Sequence, residues 1–403
     1  YLNAFQVLYA EIAKNSMPET AIYQSIKARL QWSYFQANSY KFLERSKSNI
    51  ISENINEWDL QTLTSKTEEL YLLSLDSAET LMQYPVEYFN PIVIEGENNE
   101  GLYPSLYDLL AKEAMNFFAD PQIQISKAGN RFVIDDPDYL LPKKKFVKLD
   151  LNKDNASNDL RILQISKDLL EYQLVNQYSK AAESTDLFRL KYVYSKAIFD
   201  KKDEIYEQEL RRLLKENQEN EYYADLSSAL ADLLIQQANL FNPITGKQYE
   251  WKNAEAVELL SNAVDKFPKS AGAVNCSYQL RNIQTQTTIC NISEAYLPEK
   301  PAFFKLDYKN VEQIDFKIIK LDYAEFQELN FKNSNRIYEK LDKYSPVWSK
   351  SLSIKEKNDY RKHSTEIEIP ALKKGFYVLL WSPDKFTSDQ TKAMNYQQFW
   401  ITN

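Results

Sequence analysis

Histidine is the side chain that most often acts as general base or metal ligand near neutral pH, and the chain has one, His363. It is set among Arg361, Lys362 and Ser364 just before an alternating run. An imidazole in that cationic stretch is expected in a surface loop, with acid–base work alongside tyrosines as the competing reading. Carboxylates cluster at Asp135-Asp136 with Asp138 and at Glu68-Glu69. Both clusters fall in charge patterns expected to face solvent, where they aid solubility, and the DDPD run also carries oxygen ligands suited to weak Ca²⁺ binding. No residue is assigned as catalytic, cofactor-binding or metal-ligating, and no cofactor is expected.

Cys276 and Cys290 have no histidines beside them and fit neither a disulfide framework nor a zinc pattern. Cys276-Ser-Tyr-Gln279 has the Cys-to-Gln spacing of an internal thioester bond, but the Gly and Glu that surround that motif are missing. A buried structural cysteine on a helix is the expectation. Asn155-Ala-Ser157, Asn275-Cys-Ser277 and Asn291-Ile-Ser293 match the glycosylation triplet, which is short enough to arise by chance. The 28 Tyr, 20 Phe and 6 Trp could line a carbohydrate groove, yet most fall at helical spacing, where they are expected to anchor the core.

These residues need a scaffold, and composition constrains it. With 403 residues the chain exceeds one ordinary core and should fold as two or three domains. Apolar residues make up 44% and charged residues 26%, a globular composition, and only 6 Gly argue against phosphate-cradling loops and many tight hairpins. The 49 basic and 57 acidic side chains are interspersed, for a net charge of −8, so binding to a nucleic-acid backbone has no electrostatic support. No stretch approaches the roughly 18–20 apolar residues that span a bilayer. The chain starts at Tyr1 without an initiating Met or signal segment, as expected of a piece of a larger protein.

Apolar residues at three and four spacing predict helices over most of the first 283 residues. Phe5, Leu8 and Ile12, then Ile22, Ile26 and Leu30, mark two helices broken at Met17-Pro18-Glu19. Further starts are predicted at Glu57-Trp58-Asp59 and at Tyr103 to Asp108, with long helical patterns from about Asp159 onward. The proline-marked run DDPDYLLPKKK suggests a boundary. AEAVELLSNAVDKFPKS has the look of the second helix and exit turn of a tetratricopeptide repeat, with Asn253 as its cap, but clean repeats do not extend along the chain. Near Gln284 the period drops to two: Phe304, Leu306, Tyr308, then Ile314, Phe316, Ile318, then Ile367 and Ile369. FYVLLWS is apolar on both faces, and YQQFWITN closes a run suited to a seven-strand sandwich. The expected domains are an amino-terminal helical region 1–138, a degenerate tetratricopeptide-like helical region 139–286 and an all-β sandwich 287–403.

Several segments together resemble the amino-terminal region of the large bacterial alpha-2-macroglobulin family proteins of Bacteroidetes. They are EWDLQTLTSKTEELYLLSL, LYPSLYDLLAKEAMNFF, AVDKFPKSAGAVNCSYQLRNI, LPEKPAFFKLDYKNVEQIDFKIIKLD, GFYVLLWSPD and YQQFWITN, and they span most of the chain. The resemblance implies a helical region ahead of the first macroglobulin-like, immunoglobulin- or fibronectin-type sandwich of a protease-trapping protein. That protein would be exported to the periplasm or cell envelope, with its lipid anchor, bait segment and thioester domain outside these residues. Proteases, through the full-length protein, and another envelope protein are the partners implied. Two other readings stand beside it: a free-standing tetratricopeptide-like lipoprotein that binds glycans or peptides, and a polysaccharide lyase or hydrolase built from a helical barrel and β-sheets.

Overall fold

The computed structural model describes residues 1–45, 52, 54–90, 92–94, 96, 99–126, 132–152, 157–332, 340–341, 344–355, 357–383 and 394–403. The chain divides into two compact units, Tyr1–Ala229 and Leu230–Asn403. Helices fill the amino-terminal part and β-sheets the carboxy-terminal part, in the order the change of period predicts.

In the first unit α1 (Leu2–Lys14) and α2 (Glu19–Ala37) are separated at Met17-Pro18 as expected, and α3 (Ser39–Leu43) follows. The predicted start at Asp59 is a side-chain cap: its carboxylate accepts from the Thr62 N–H at 2.7 Å and opens α4 (Leu60–Leu73). After α5 (Ala78–Leu81), α6 (Leu106–Ala119) begins at a capping box in which the Asp108 N–H donates to Ser105 Oγ and the Ser105 N–H donates to Asp108 Oδ2. The core here is aromatic, as helical spacing implies. Trp32 stacks on Phe35 at 4.7 Å and meets Phe117 edge-on at 5.2 Å, and Tyr71 lies 4.9 Å from Phe117. Such pairs add about 0.5–1.5 kcal/mol each beyond the area they bury.

The proline-marked run lies inside the first compact unit. Residues 132–142, the short α7 (Lys143–Phe146) and the long helices α8 (Asn158–Val175), α9 (Ser179–Lys196) and α10 (Lys202–Glu216) all belong to the first unit. Arg189 of α9, wholly buried, is the reason. Its guanidinium donates to the backbone carbonyls of Tyr139 and Leu141, pairs with buried Asp186 and lies 4.2 Å over the ring of Phe146. The anticipated 138/139 break therefore crosses one of the best-anchored places in the unit. Glu68 is a second correction. It is buried rather than solvent-facing, and its carboxylate pairs with Arg161 of α8, while Glu69 beside it is exposed. A helix turns by about 100° per residue, so neighbouring glutamates face opposite environments.

In the second unit the last helices belong with the strands, so the expected 286/287 break lies inside it. Helix α11 (Tyr222–Ala238) ends there, and α12 (Lys252–Lys266) and α13 (Ala271–Gln284) form a hairpin in which Ser270 caps α13. Two sheets follow from strands β1 (Thr287–Asn291), β2 (Ala295–Tyr296), β3 (Ala302–Lys309), β4 (Gln313–Leu321), β5 (Pro346–Ser353), β6 (His363–Ile369), β7 (Gly375–Ser382) and β8 (Asn395–Ile401). One has the order β1-β3-β6, the other β2-β8-β7-β4-β5, and only the β2–β8 pair is parallel. Alternate residues of both sheets, among them Phe304, Leu306, Ile314, Phe316, Ile318, Ile367 and Ile369, meet in one core. Eight strands are described where seven were expected; the extra one is the two-residue β2.

FYVLLWS is buried on both faces, as its composition predicts. Tyr377, Leu379 and Trp381 face the sandwich core, while Phe376, Val378 and Leu380 face a second cluster with Phe326. Phe326 lies on α14 (Tyr323–Lys332), a helix between β4 and β5 that the sequence reading does not anticipate. Its signal is only Tyr323, Phe326 and Leu329, one short apolar stripe.

Candidate functional site

His363, the side chain flagged for acid–base chemistry, lies in the second unit, where the loop 357–362 enters β6. His363 is the first residue of β6, not a loop residue, and pairs in register with Tyr308 of β3, on whose ring it stacks at 5.6 Å. Its Nε2 lies 3.0 Å from Asp359 Oδ1. Asp359, 3% exposed, also accepts from the backbone N–H of Arg361 at 3.0 Å and from its guanidinium at 2.9 Å. Burial pushes the Asp359 pKa up, but the His363 contact and the Arg361 donors outweigh it and hold the carboxyl below the ordinary value of 3.8.

The chain of contacts then leaves the sandwich. Arg361 lies 3.7 Å over the ring of Phe241, just past α11, and 3.5 Å from the Glu250 carboxylate, just ahead of α12. Asn253 Nδ2 donates to the Tyr360 carbonyl at 2.9 Å. Trp251 is the cap residue of α12 and Asn253 its second helical residue; Asn253 is therefore a tether to the loop rather than the expected cap. On the neighbouring side Asn310, in the turn between β3 and β4, donates to the carbonyls of Ile283 at 2.8 Å and Thr285 at 3.3 Å, where α13 ends. The turn at Asn310-Val311 is thus a second tie between helix and sandwich. Asn310, Asn358 and Tyr360 all take left-handed backbone conformations, with φ of 54°, 53° and 53°. For a non-glycine residue that costs on the order of 1–2 kcal/mol, which the contacts at both ends of the loop offset.

An Asp–His pair at 3.0 Å is the geometry in which a carboxylate orients an imidazole for proton transfer. Here the carboxylate is shared with Arg361, and Arg361 is committed to Phe241 and Glu250. The contacts of Arg361 and the Asn253–Tyr360 hydrogen bond tie residues 357–362 to the segments on either side of α12. Sequence reasoning named His363 and its basic neighbours but missed Asp359, Glu250 and Phe241. The signal within reach was the Asp359-x-Arg361-x-His363 spacing, which sets opposite charges two residues apart ahead of a strand.

The other candidates stand apart from this cluster. Asp135, Asp136 and Asp138 are exposed as expected, and Asp136 Oδ1 accepts from the Asp138 N–H at 2.9 Å as the cap of the turn Pro137–Leu140. Among the described residues no group of three His, Cys, Asp or Glu is arranged to hold a metal ion. Cys276 and Cys290 are buried free thiols. Cys276 is buried on α13, and Gln279 donates from its amide to Asp232 of α11. Asn275 is exposed on α13 and Asn291 at the end of β1; Asn155 lies outside the described residues. No helix among the described residues is long and apolar enough to cross a membrane. A second polar knot covers the outer face of β3: Asp307 accepts from Ser364, Lys305 and Lys362, which hold its carboxyl well below the usual carboxylate range. No family model matches this chain, and no curated protein matches it either.

Proposed function

We propose that the chain is a non-catalytic structural and interaction segment of a large macroglobulin-like protease inhibitor, exported to the periplasm or cell envelope. The observation that carries the reading is the Arg361 tether. The residues best equipped for chemistry hold the 357–362 loop against the segments that flank α12, as a connector between a helical array and a sandwich requires. The strand order supports it: two mainly antiparallel sheets, β1-β3-β6 and β2-β8-β7-β4-β5, packed on one core are compatible with an immunoglobulin- or fibronectin-type sandwich. The α12–α13 hairpin, with its Phe267-Pro-Lys-Ser270 turn, favours a degenerate tetratricopeptide-like description of the helices that precede it. The trapping role itself rests on the resemblance of the quoted segments.

The test is capture. Full-length protein purified from its source cells is incubated with a broad-specificity serine protease and passed over a sizing column. Co-elution of the protease with the protein supports the reading. A protease that elutes alone, while circular dichroism shows helices and sheet intact, overturns it. The His363–Asp359 pair favours one rival, a polysaccharide-cleaving enzyme, and that rival requires cleavage that His363→Ala abolishes without unfolding the sandwich.

A further inference from the structure

The larger sheet of the second unit ends on a strand with an open edge. In the order β2-β8-β7-β4-β5, β5 comes last and pairs with β4 alone. Just past it the Ile354 N–H donates to the Glu312 carbonyl at 2.7 Å, which fixes the phase of the ladder. Trp348, Lys350 and Leu352 therefore turn their backbone groups to β4, and Ser349, Ser351 and Ser353 turn theirs outward. Among the described residues no backbone group meets those outward N–H and C=O groups. Such a row is a template for another extended chain.

The side chains indicate what that chain must carry. Alternation puts Trp348, Lys350 and Leu352 on one face, where Trp348 and Leu352 pack against the sandwich core and Lys350 lies opposite Phe316. The β4 residues beside this row, Ile314, Phe316 and Ile318, are all apolar. Lys350 is exposed and has no ion pair among the described residues. Asp315 points to the opposite face, where Ser351 and Gln313 donate to it. Glu312 shares the face of Lys350 but lies four residues along from Phe316, about 13 Å by the rise of a strand.

We propose that β5 accepts, antiparallel, an extended peptide segment in which an acidic side chain is flanked two residues away on each side by apolar ones. Ser349 and Ser351 exchange backbone hydrogen bonds with it, and its carboxylate meets Lys350 at a non-hydrogen-bonded position, where opposing side chains come closest. Its apolar side chains extend the row of Trp348 and Leu352. A second copy of the chain does not suit this edge. Central antiparallel pairing of β5 with itself sets Lys350 against a tryptophan, a lysine or a leucine, none of which neutralises it.

The test is fluorescence polarisation of the full chain with dye-labelled Thr-Val-Thr-Glu-Thr-Val-Thr. Two controls run beside it: the same peptide with Lys in place of Glu, and one N-methylated at the threonines that flank Glu. The Glu peptide is expected to bind at least tenfold more tightly than either control. Ser349→Pro removes one outward N–H and no bond of the β4–β5 ladder, and should weaken the Glu peptide about tenfold. Lys350→Glu should reverse the preference between the Glu and Lys peptides. Melting curves confirm that both variants fold, and Lys350, being exposed, keeps the test open if Ser349→Pro does not. Equal binding of the Glu and Lys peptides, undiminished binding of the N-methylated one, no binding by the folded protein, or a dimer in sedimentation that Ser349→Pro dissolves each overturns the proposal. None of these outcomes bears on protease capture, so the two readings fail separately.

Discussion

Replacing Arg361 by Ala removes the centre of the tether between the 357–362 loop and the helical elements of the second unit. The loss has three parts. The guanidinium's hydrogen bond to buried Asp359, at 2.9 Å, is charge-assisted, and such bonds contribute on the order of 1.5–3 kcal/mol. Its stacking on Phe241 at 3.7 Å adds roughly 0.5–2 kcal/mol, toward the upper end because the side chain is only 12% exposed. The pair with Glu250 at 3.5 Å, a partner 24% exposed, contributes at most about 1 kcal/mol. Asp359 keeps the His363 contact, so the parts do not simply add, and the expected cost is about 2–4 kcal/mol. For a unit of this size that lowers the melting temperature by roughly 4–16 °C. Arg361→Lys keeps the charge but loses the flat, forked geometry and should recover only part of the loss. Differential scanning calorimetry reads the stability, and hydrogen exchange reads the loop, whose residues 357–362 should exchange faster while β7 and β8 do not. A change below about 0.5 kcal/mol, or unaltered exchange in the loop, refutes the assignment of Arg361 as the tether.

In the first unit, Arg189→Leu strands the buried Asp186 carboxylate and the Tyr139 and Leu141 carbonyls and should cost about 3–5 kcal/mol, whereas Asp186→Leu with Arg189→Leu should cost less than the two single changes summed; a strictly additive cycle in urea denaturation would sink the pairing. Asp307 and Asp359 both have lowered pKa values in the folded sandwich, so their contribution is fully present above the ordinary carboxylate value near 3.8 and is lost as the pH falls below it. Acid titration of Asp307→Asn and Asp359→Asn variants should therefore show a flatter loss of stability below pH 4 than the parent, and an identical slope contradicts this. Cys276 and Cys290 are buried, and burial raises the Cys290 thiol well above its usual range, so native protein should resist maleimide and label only after unfolding; rapid labelling of either residue at neutral pH counts against the packing described.

Much of this architecture is local in origin, and local origin is what a sequence displays. The break at Met17-Pro18, the cap at Asp59, the capping box at Ser105 and Asp108, and the change of period after Gln284 each depend on residues within one or two turns of one another. The double-sided burial of FYVLLWS was legible too, because a strand covered on both faces has no polar alternation to keep. Tertiary structure alone decided what the charged residues do. Glu68 and Glu69 are indistinguishable by type and spacing, yet one is buried against Arg161 and the other is exposed, since only the approach of α8 distinguishes their faces. Asp359 and Glu250 lie more than a hundred positions apart and meet on Arg361 because folding brings the turn ahead of α12 to the sandwich loop. A buried charge is tolerated only where a partner arrives from elsewhere in the chain, and that partner is the one thing periodicity cannot name.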